Sequence, residues 1–257
     1  MNIFIDKAKE KSGLKAAFNL LLLSIILVAV FWYALTRVGV KFDFSFLPAL
    51  RGRLLDGFML TVYLSIVSLF LSLFIGIISA VLYSSKVLVL RYLSKLYVTI
   101  IRGTPLIVQI YLFFYIIGTA FGIDNRFISG VLILSVFEGA YIAEIIRGSL
   151  LSMDSTQLEA AKAVGFTKKQ TITLVILPQL TARTLPALTG QFASLIKDSS
   201  LLSVIAVTEL TMTIREISAV NLKLFESFFF LGFLYLLLTL PITFLSKRLE
   251  SRFSYEN

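Results

Sequence analysis

The sequence predicts an all-α, polytopic membrane bundle of about six transmembrane helices, with a helical elbow on its cytoplasmic face. Three observations carry that expectation. Of 257 residues, 58% are hydrophobic and 15% charged, and mean hydropathy is +0.91; a soluble domain is about 45–50% apolar and about 25% charged. Several uncharged runs approach or exceed the roughly 20 residues a helix needs to cross a bilayer. The cations are also unevenly placed along the chain, as they are in membrane proteins with basic cytoplasmic loops.

The composition excludes much chemistry. With no histidine and no cysteine, there is no Cys/His zinc site, no cysteine nucleophile, no His-based triad and no disulfide. The net charge of +9 reads as membrane orientation, and nucleic acid is not an expected partner.

Taken in order, the first uncharged run is 16–35, after a basic start (Lys7, Lys9, Lys11, Lys15). It is too long for a signal h-region and offers no small-x-small cleavage site, so it is a retained helix. The second run is 57–85, between Asp56 and Lys86. The third is 103–123, opening Gly103-Thr104-Pro105, where Thr104 suits the cap and Pro105 the first helical position. Arg102 just before it sits at the inner interface. The fourth is 127–147, interrupted by Glu138, and the last is 227–246.

The interval 150–226 is irregular. A charged, helix-forming part (154–170) precedes three short uncharged runs, 171–182, 184–196 and 199–208, broken by Arg183 and by Lys197-Asp198 and containing Pro178, Pro186 and Gly190. One broken fifth crossing near 184–208 is expected, lining a pathway, because broken backbone is tolerated at membrane depth only where protein or a water-filled cavity covers it. With six crossings and both termini cytoplasmic, 16 Lys and Arg fall inside and 8 outside.

The segment 151–179 reads LSMDSTQLEAAKAVGFTKKQTITLVILPQ. Thr156 and Glu159 have capping-box spacing, Leu158, Ala161 and Val164 form a narrow apolar stripe, and Gly165 falls where a helix needs a left-handed end. Thr167 can cap a second helix. Taken alone, this is either a docking elbow or an interfacial helix whose Glu159 caps its own backbone.

Glu159-Ala160-Ala161, Gly165 and Val175-Ile176-Leu177-Pro178 together resemble the EAA loop of ABC-importer permeases. Arg102-Gly103-Thr104-Pro105-Leu106-Ile107-Val108-Gln109, Ala140-Tyr141-Ile142-Ala143-Glu144-Ile145-Ile146-Arg147-Gly148 and Ser194-Leu195-Ile196-Lys197-Asp198-Ser199-Ser200-Leu201 resemble the polar amino-acid branch of that family. Val175 and Thr156 depart from its usual isoleucine and glycine. The resemblance implies a permease core over 54–250 with the loop at 154–178, a preceding basic N-terminus, extra helix and external loop (1–53), and a cytoplasmic tail (251–257). It implies that Glu159, Ala160, Ala161 and Gly165 form a coupling helix docking in a groove of an ABC ATPase. It also implies a second permease copy or paralogue and an extracytoplasmic amino-acid-binding protein. No P-loop occurs in the chain, so ATP and Mg belong to the partner ATPase and this chain needs no cofactor and is no enzyme.

Glu138 lies about eleven residues, roughly 16 Å, below the outer end of its helix. A mid-bilayer carboxylate marks a substrate path, here for an amino-acid ammonium or cationic side chain, or else is paired across helices or protonated. Lys197 and Asp198 are pathway candidates or mark a helix end at the outer surface. Glu144 and Arg147 form a local i,i+3 pair. The competing class is a self-sufficient secondary transporter or channel, which would bring several intramembrane acids or an internal repeat; Glu138 stands alone.

Overall fold

The computed structural model describes residues 13–40 and 42–253. Lys7, Lys9, Lys11, Lys41 and the end of the tail, 254–257, lie outside the described residues. The chain divides into two compact units, Met1–Ser45 and Phe46–Asn257. Among its described residues the first holds one helix, α1 (Gly13–Val38). It is apolar all round, as befits a helix surrounded by lipid, and it ends at Gly39 with φ +73°.

The second unit begins with α2 (Arg51–Tyr83), whose 33 residues reach about 50 Å. Its buried face is a row of small side chains: Gly57, Thr61, Ser65, Ser68, Ser72, Gly76 and Ser79. These recur every three or four residues and so line one side of the helix. α3 (Leu88–Gly103) and α4 (Leu106–Leu112) follow, α4 continuing through a π-helical turn, Phe113–Gly118. Then comes α5 (Arg126–Leu151), capped by Asn125, whose side chain accepts from the Ile128 N–H at 3.1 Å.

α2 packs along α5. Small residues let two membrane helices approach until backbone meets backbone. A Cβ on Gly76 would lie 2.5 Å from Ile142 Cγ2 and 3.0 Å from the Gly139 carbonyl oxygen. The Ser135 hydroxyl donates within its own helix to Val131 O at 2.6 Å and lies 3.3 Å from Ser68 O across the seam. Leu64, Ile110, Leu134 and Leu202 are fully buried and form the main core beside it.

α6 (Ser155–Ala163) and the single turn α7 (Lys168–Gln170) form the elbow. A π-helical turn, Thr171–Ile176, leads into α8 (Leu177–Asp198), and a 3-10 segment, Ser199–Ile205, follows. α9 (Leu210–Asn221) is capped by Glu209 and stops at Leu222, φ +55°. α10 (Leu224–Phe253) closes the unit.

Among the described residues, five helical stretches are long and apolar enough to cross a membrane, and α3 with α4 makes up to six as a broken pair bent by 111°. Two expectations are corrected. The third crossing does not run unbroken over 103–123: Thr104 and Pro105 are both extended and form the break itself. Thr104 caps nothing at a helix start; its hydroxyl donates back to Ile100 O at 2.9 Å. The fifth crossing is not broken at 184–208. Lys168 to Ile205 is one continuous helical stretch, with Pro186 inside it. The wide π turn falls just before Pro178, whose missing N–H and ring a regular turn would not accommodate.

Candidate functional site

Two places carry the site residues. The first is the elbow. Its helix starts two residues earlier than expected: Asp154 caps it, accepting from the Thr156 N–H at 2.9 Å, and the hydrogen bonds from Thr156 hold the Asp154 carboxyl below its usual range. The Thr156–Glu159 capping box is therefore absent. Freed of that role, Glu159 is exposed and makes no hydrogen bond or ion pair to the described residues. Ala160 is exposed too, while Ala161 is buried.

The elbow's far end is closed as the sequence predicts. Gly165 has φ +82°, its N–H meets Lys162 O at 3.0 Å, and the Phe166 N–H meets Ala161 O at 3.0 Å. That is the six-to-one and five-to-two pattern of a Schellman end. Nothing lies within 4 Å of a Cβ built on Gly165, so the glycine is needed for its backbone angle and not for space. Thr167 caps α7 in a reciprocal box with Gln170.

The second place is the middle of α5. Glu138 is fully buried. Gln191 on α8 donates to its Oε2 at 2.5 Å, and its Oε1 has no hydrogen-bond partner. The Asp198 carboxyl, two turns beyond Gln191 on the same face of α8, interacts with Glu138. Lys197 is exposed on another side of the helix. The structure thus joins Glu138 with Asp198 and adds Gln191, while Lys197 bears on the group only through its charge acting on Asp198. No cation faces Glu138 among the groups that act on it.

Gln191 was not found from the sequence. Its signal was there, seven residues before Asp198, but only for a reader treating 177–198 as one helix. The expected Glu144–Arg147 pair is present. Arg102 joins it: its guanidinium reaches Glu144 at 3.5 Å and lies over the Tyr141 ring at 5.3 Å, linking the α3 end to α5.

Residues 72–255 match the family described as binding-protein-dependent transport system inner membrane component. The chain belongs to that family. Both places just described lie within the matched stretch, and α1 precedes it. Among curated members, it is 35% identical over 216 residues to the glutamine transport system permease protein GlnP of Escherichia coli (strain K12), covering 83% of this chain and 98% of that one. It is 42% identical over 179 residues to the L-cystine transport system permease protein TcyB of Bacillus subtilis (strain 168), covering 69% of this chain and 74% of the relative. A crystal structure of an amino acid ABC transporter with histidines superposes with a TM-score of 0.77 at 30% identity, covering 83% of this chain and all of that one. The inward-facing MetNI methionine ABC transporter matches in fold at 0.67 and 19% identity. This family member is therefore a multi-pass inner-membrane permease subunit of an amino-acid ABC importer, a transport subunit and not an enzyme.

Proposed function

We propose that the chain imports polar amino acids, with a preference for cationic ones, and is driven by ATP through its elbow. Two permease subunits, this one with a second copy or a paralogue, would form the pathway. An extracytoplasmic binding protein delivers the amino acid, and a pair of ABC ATPases binds ATP and Mg. Both termini of the permease are cytoplasmic. Closure of the ATPase pair draws the elbows together and switches the pathway from inward- to outward-facing.

The observation that supports the coupling role is the elbow's surface. Glu159 and Ala160 project outward without local partners, Ala161 holds the helix down, and the Gly165 end fixes its orientation. A short helix with one free carboxylate and small neighbours fits a groove in another protein. The preference for cations is supported by Glu138 and Asp198, two acids brought together with no basic group among those acting on Glu138. Lys197 is a further pathway candidate at the same end of α8.

Co-purification of an ATPase tests the coupling: it is expected with the native chain and lost when Gly165 is replaced by Ile, because a β-branched residue strongly resists φ near +80°. For the path, Glu138→Gln should lose uptake of lysine and arginine in reconstituted vesicles while assembly and basal ATP hydrolysis persist. Uptake driven by an ion gradient without ATP would overturn the reading.

A further inference from the structure

Glu138 and Asp198 come together without a donor between them. An ionised carboxyl only accepts hydrogen bonds, so two in contact repel each other unless a cation or a proton intervenes. Glu138 is fully buried on α5; Gln191 occupies its Oε2, while Oε1 has no partner. The Asp198 carboxyl, half-buried on α8, lies within hydrogen-bonding reach of it. An unpartnered oxygen on a fully buried acid calls for an occupant.

No cation among the groups acting on Glu138 fills that place. Of the elements packed on α5, α8 brings Gln191, which is neutral, and Lys197, whose charge acts on Asp198. α3 brings Tyr97, whose hydroxyl is committed to Val136 O at 2.6 Å, and Arg102, which pairs with Glu144 at 3.5 Å. Within α5, Arg147 pairs with Glu144 as well. The buried face of α2 carries no ionisable group. In α4 and the π-helical turn after it the ionisable residues are Tyr111 and Tyr115, both exposed, and Ser199–Ile205 has none.

Two full negative charges would therefore face each other at membrane depth, where even one is costly. A single proton removes both difficulties, because it cancels one charge and turns one carboxyl into the donor the other lacks. Negative charge is better placed on Asp198, which is partly exposed and has the Lys197 charge acting on it, so the hydroxyl belongs on Glu138.

We propose that Glu138 and Asp198 hold one proton between them and give it up when the cationic group of an amino acid arrives. The carboxyl O–H bond breaks, the proton passes to solvent on the less buried Asp198 side, and the doubly negative pair then faces the ligand's positive charge. The incoming cation keeps its own protons. The exchange rests on the cation-import reading above; the shared proton does not.

The experiment is infrared spectroscopy of the assembled importer in detergent at neutral pH. It reads the C=O band of protonated carboxyl groups as native-minus-variant differences, which cancel other buried acids such as Glu209. Glu138→Gln and Asp198→Asn each put an N–H donor where the proton was, so each should remove the same band. Asp198→Ser, whose hydroxyl can also donate, takes over if Asp198→Asn does not assemble. Saturating lysine should remove the band from the native complex, and saturating glutamine should leave it. No band in either difference would overturn the shared proton. So would a band lost in Glu138→Gln but kept in Asp198→Asn, since burial alone would then hold the proton. A band that lysine leaves intact would overturn the exchange. Lysine uptake is measured on the same preparation in vesicles: if ATP drives none while the band is lost in both variants, the import reading fails and the shared proton stands.

Discussion

Gly76 offers the cleanest perturbation of the fold. Adding one methyl group there puts a Cβ 2.5 Å from Ile142 Cγ2, 2.7 Å from Ile142 Cβ and 3.0 Å from the Gly139 oxygen. Carbon atoms at rest sit about 3.5–4.0 Å apart, so the overlap is about 1 Å or more. A flexible neighbour could rotate away, but two of the three atoms cannot. Ile142 Cβ is attached directly to the backbone, the β-branched side chain is nearly fixed at χ1 in a helix, and the third atom is backbone. The two helices must therefore separate, at about 1–3 kcal/mol.

The same substitution at Gly148, in α5 but with nothing within 4 Å of the added atom, supplies the control. There the alanine gains helix propensity of at most about 0.5–1 kcal/mol. In detergent the gain shrinks, because the denatured state keeps its helices. For a chain of this size each kcal/mol moves Tm by about 2–4 °C, so Gly76→Ala should fall by about 2–12 °C and Gly148→Ala should stay level or rise slightly. Stepwise heating of the purified protein in detergent, followed by size-exclusion chromatography, reads both. Equal behaviour of the two variants would refute the close-approach account of the α2–α5 seam.

Two further outcomes follow from buried acids. Gln191→Leu removes the hydrogen bond that Gln191 donates to Glu138 and should cost about 1–3 kcal/mol; adding Glu138→Leu to it should recover most of that loss in the same heating assay. Glu209, fully buried at the start of α9, accepts from the Thr211 and Met212 N–H groups at 2.8 Å and from Tyr235 OH at 3.0 Å, yet burial pushes its carboxyl up to about 7. A carboxyl raised on folding favours the native state when protonated, so stability should fall as pH rises from about 4.5 to about 7. Glu209→Gln should flatten that slope in a pH series of melting curves, and an unchanged slope would assign it to another group.

The parts legible in the sequence were those set by local chemistry. Long uncharged runs disclosed α1, α2, α5 and α10, and a single glycine followed by a capping threonine disclosed the elbow's turn, since a left-handed residue leaves a composition signal. The third crossing was misplaced because only uncharged runs were taken as spans, and its first half, α3, carries cations. Arg91 bonds Ser85 O, Lys95 lies over the Tyr83 ring and Arg102 meets Glu144; all three occupy one stripe of α3 and are satisfied locally. The fifth was misread for a similar reason, as Arg183 reaches back to Ser152 instead of ending the helix. Gln191 shares a helix face with Asp198, but its bond to Glu138 spans 53 residues and leaves no local pattern.

These misreadings share a consequence for how the permease works. The row of small residues on α2 looked like nothing in the sequence, and it makes a contact with α5 that leaves no room for a methyl group at Gly76 or Gly139. A seam so close cannot slide by fractions of an ångström; it holds or it separates. α8 has a different character along its first half, bordered by two open grooves and held by polar contacts: Gln179 to Gln157 in α6, Arg183 to Ser152 at the end of α5, and Ser246 of α10, which donates to Pro186 O. Against that close α2–α5 seam, α8 crosses α5 through polar side chains instead of interlocked backbone. That crossing is where Glu138, Gln191 and Asp198 meet.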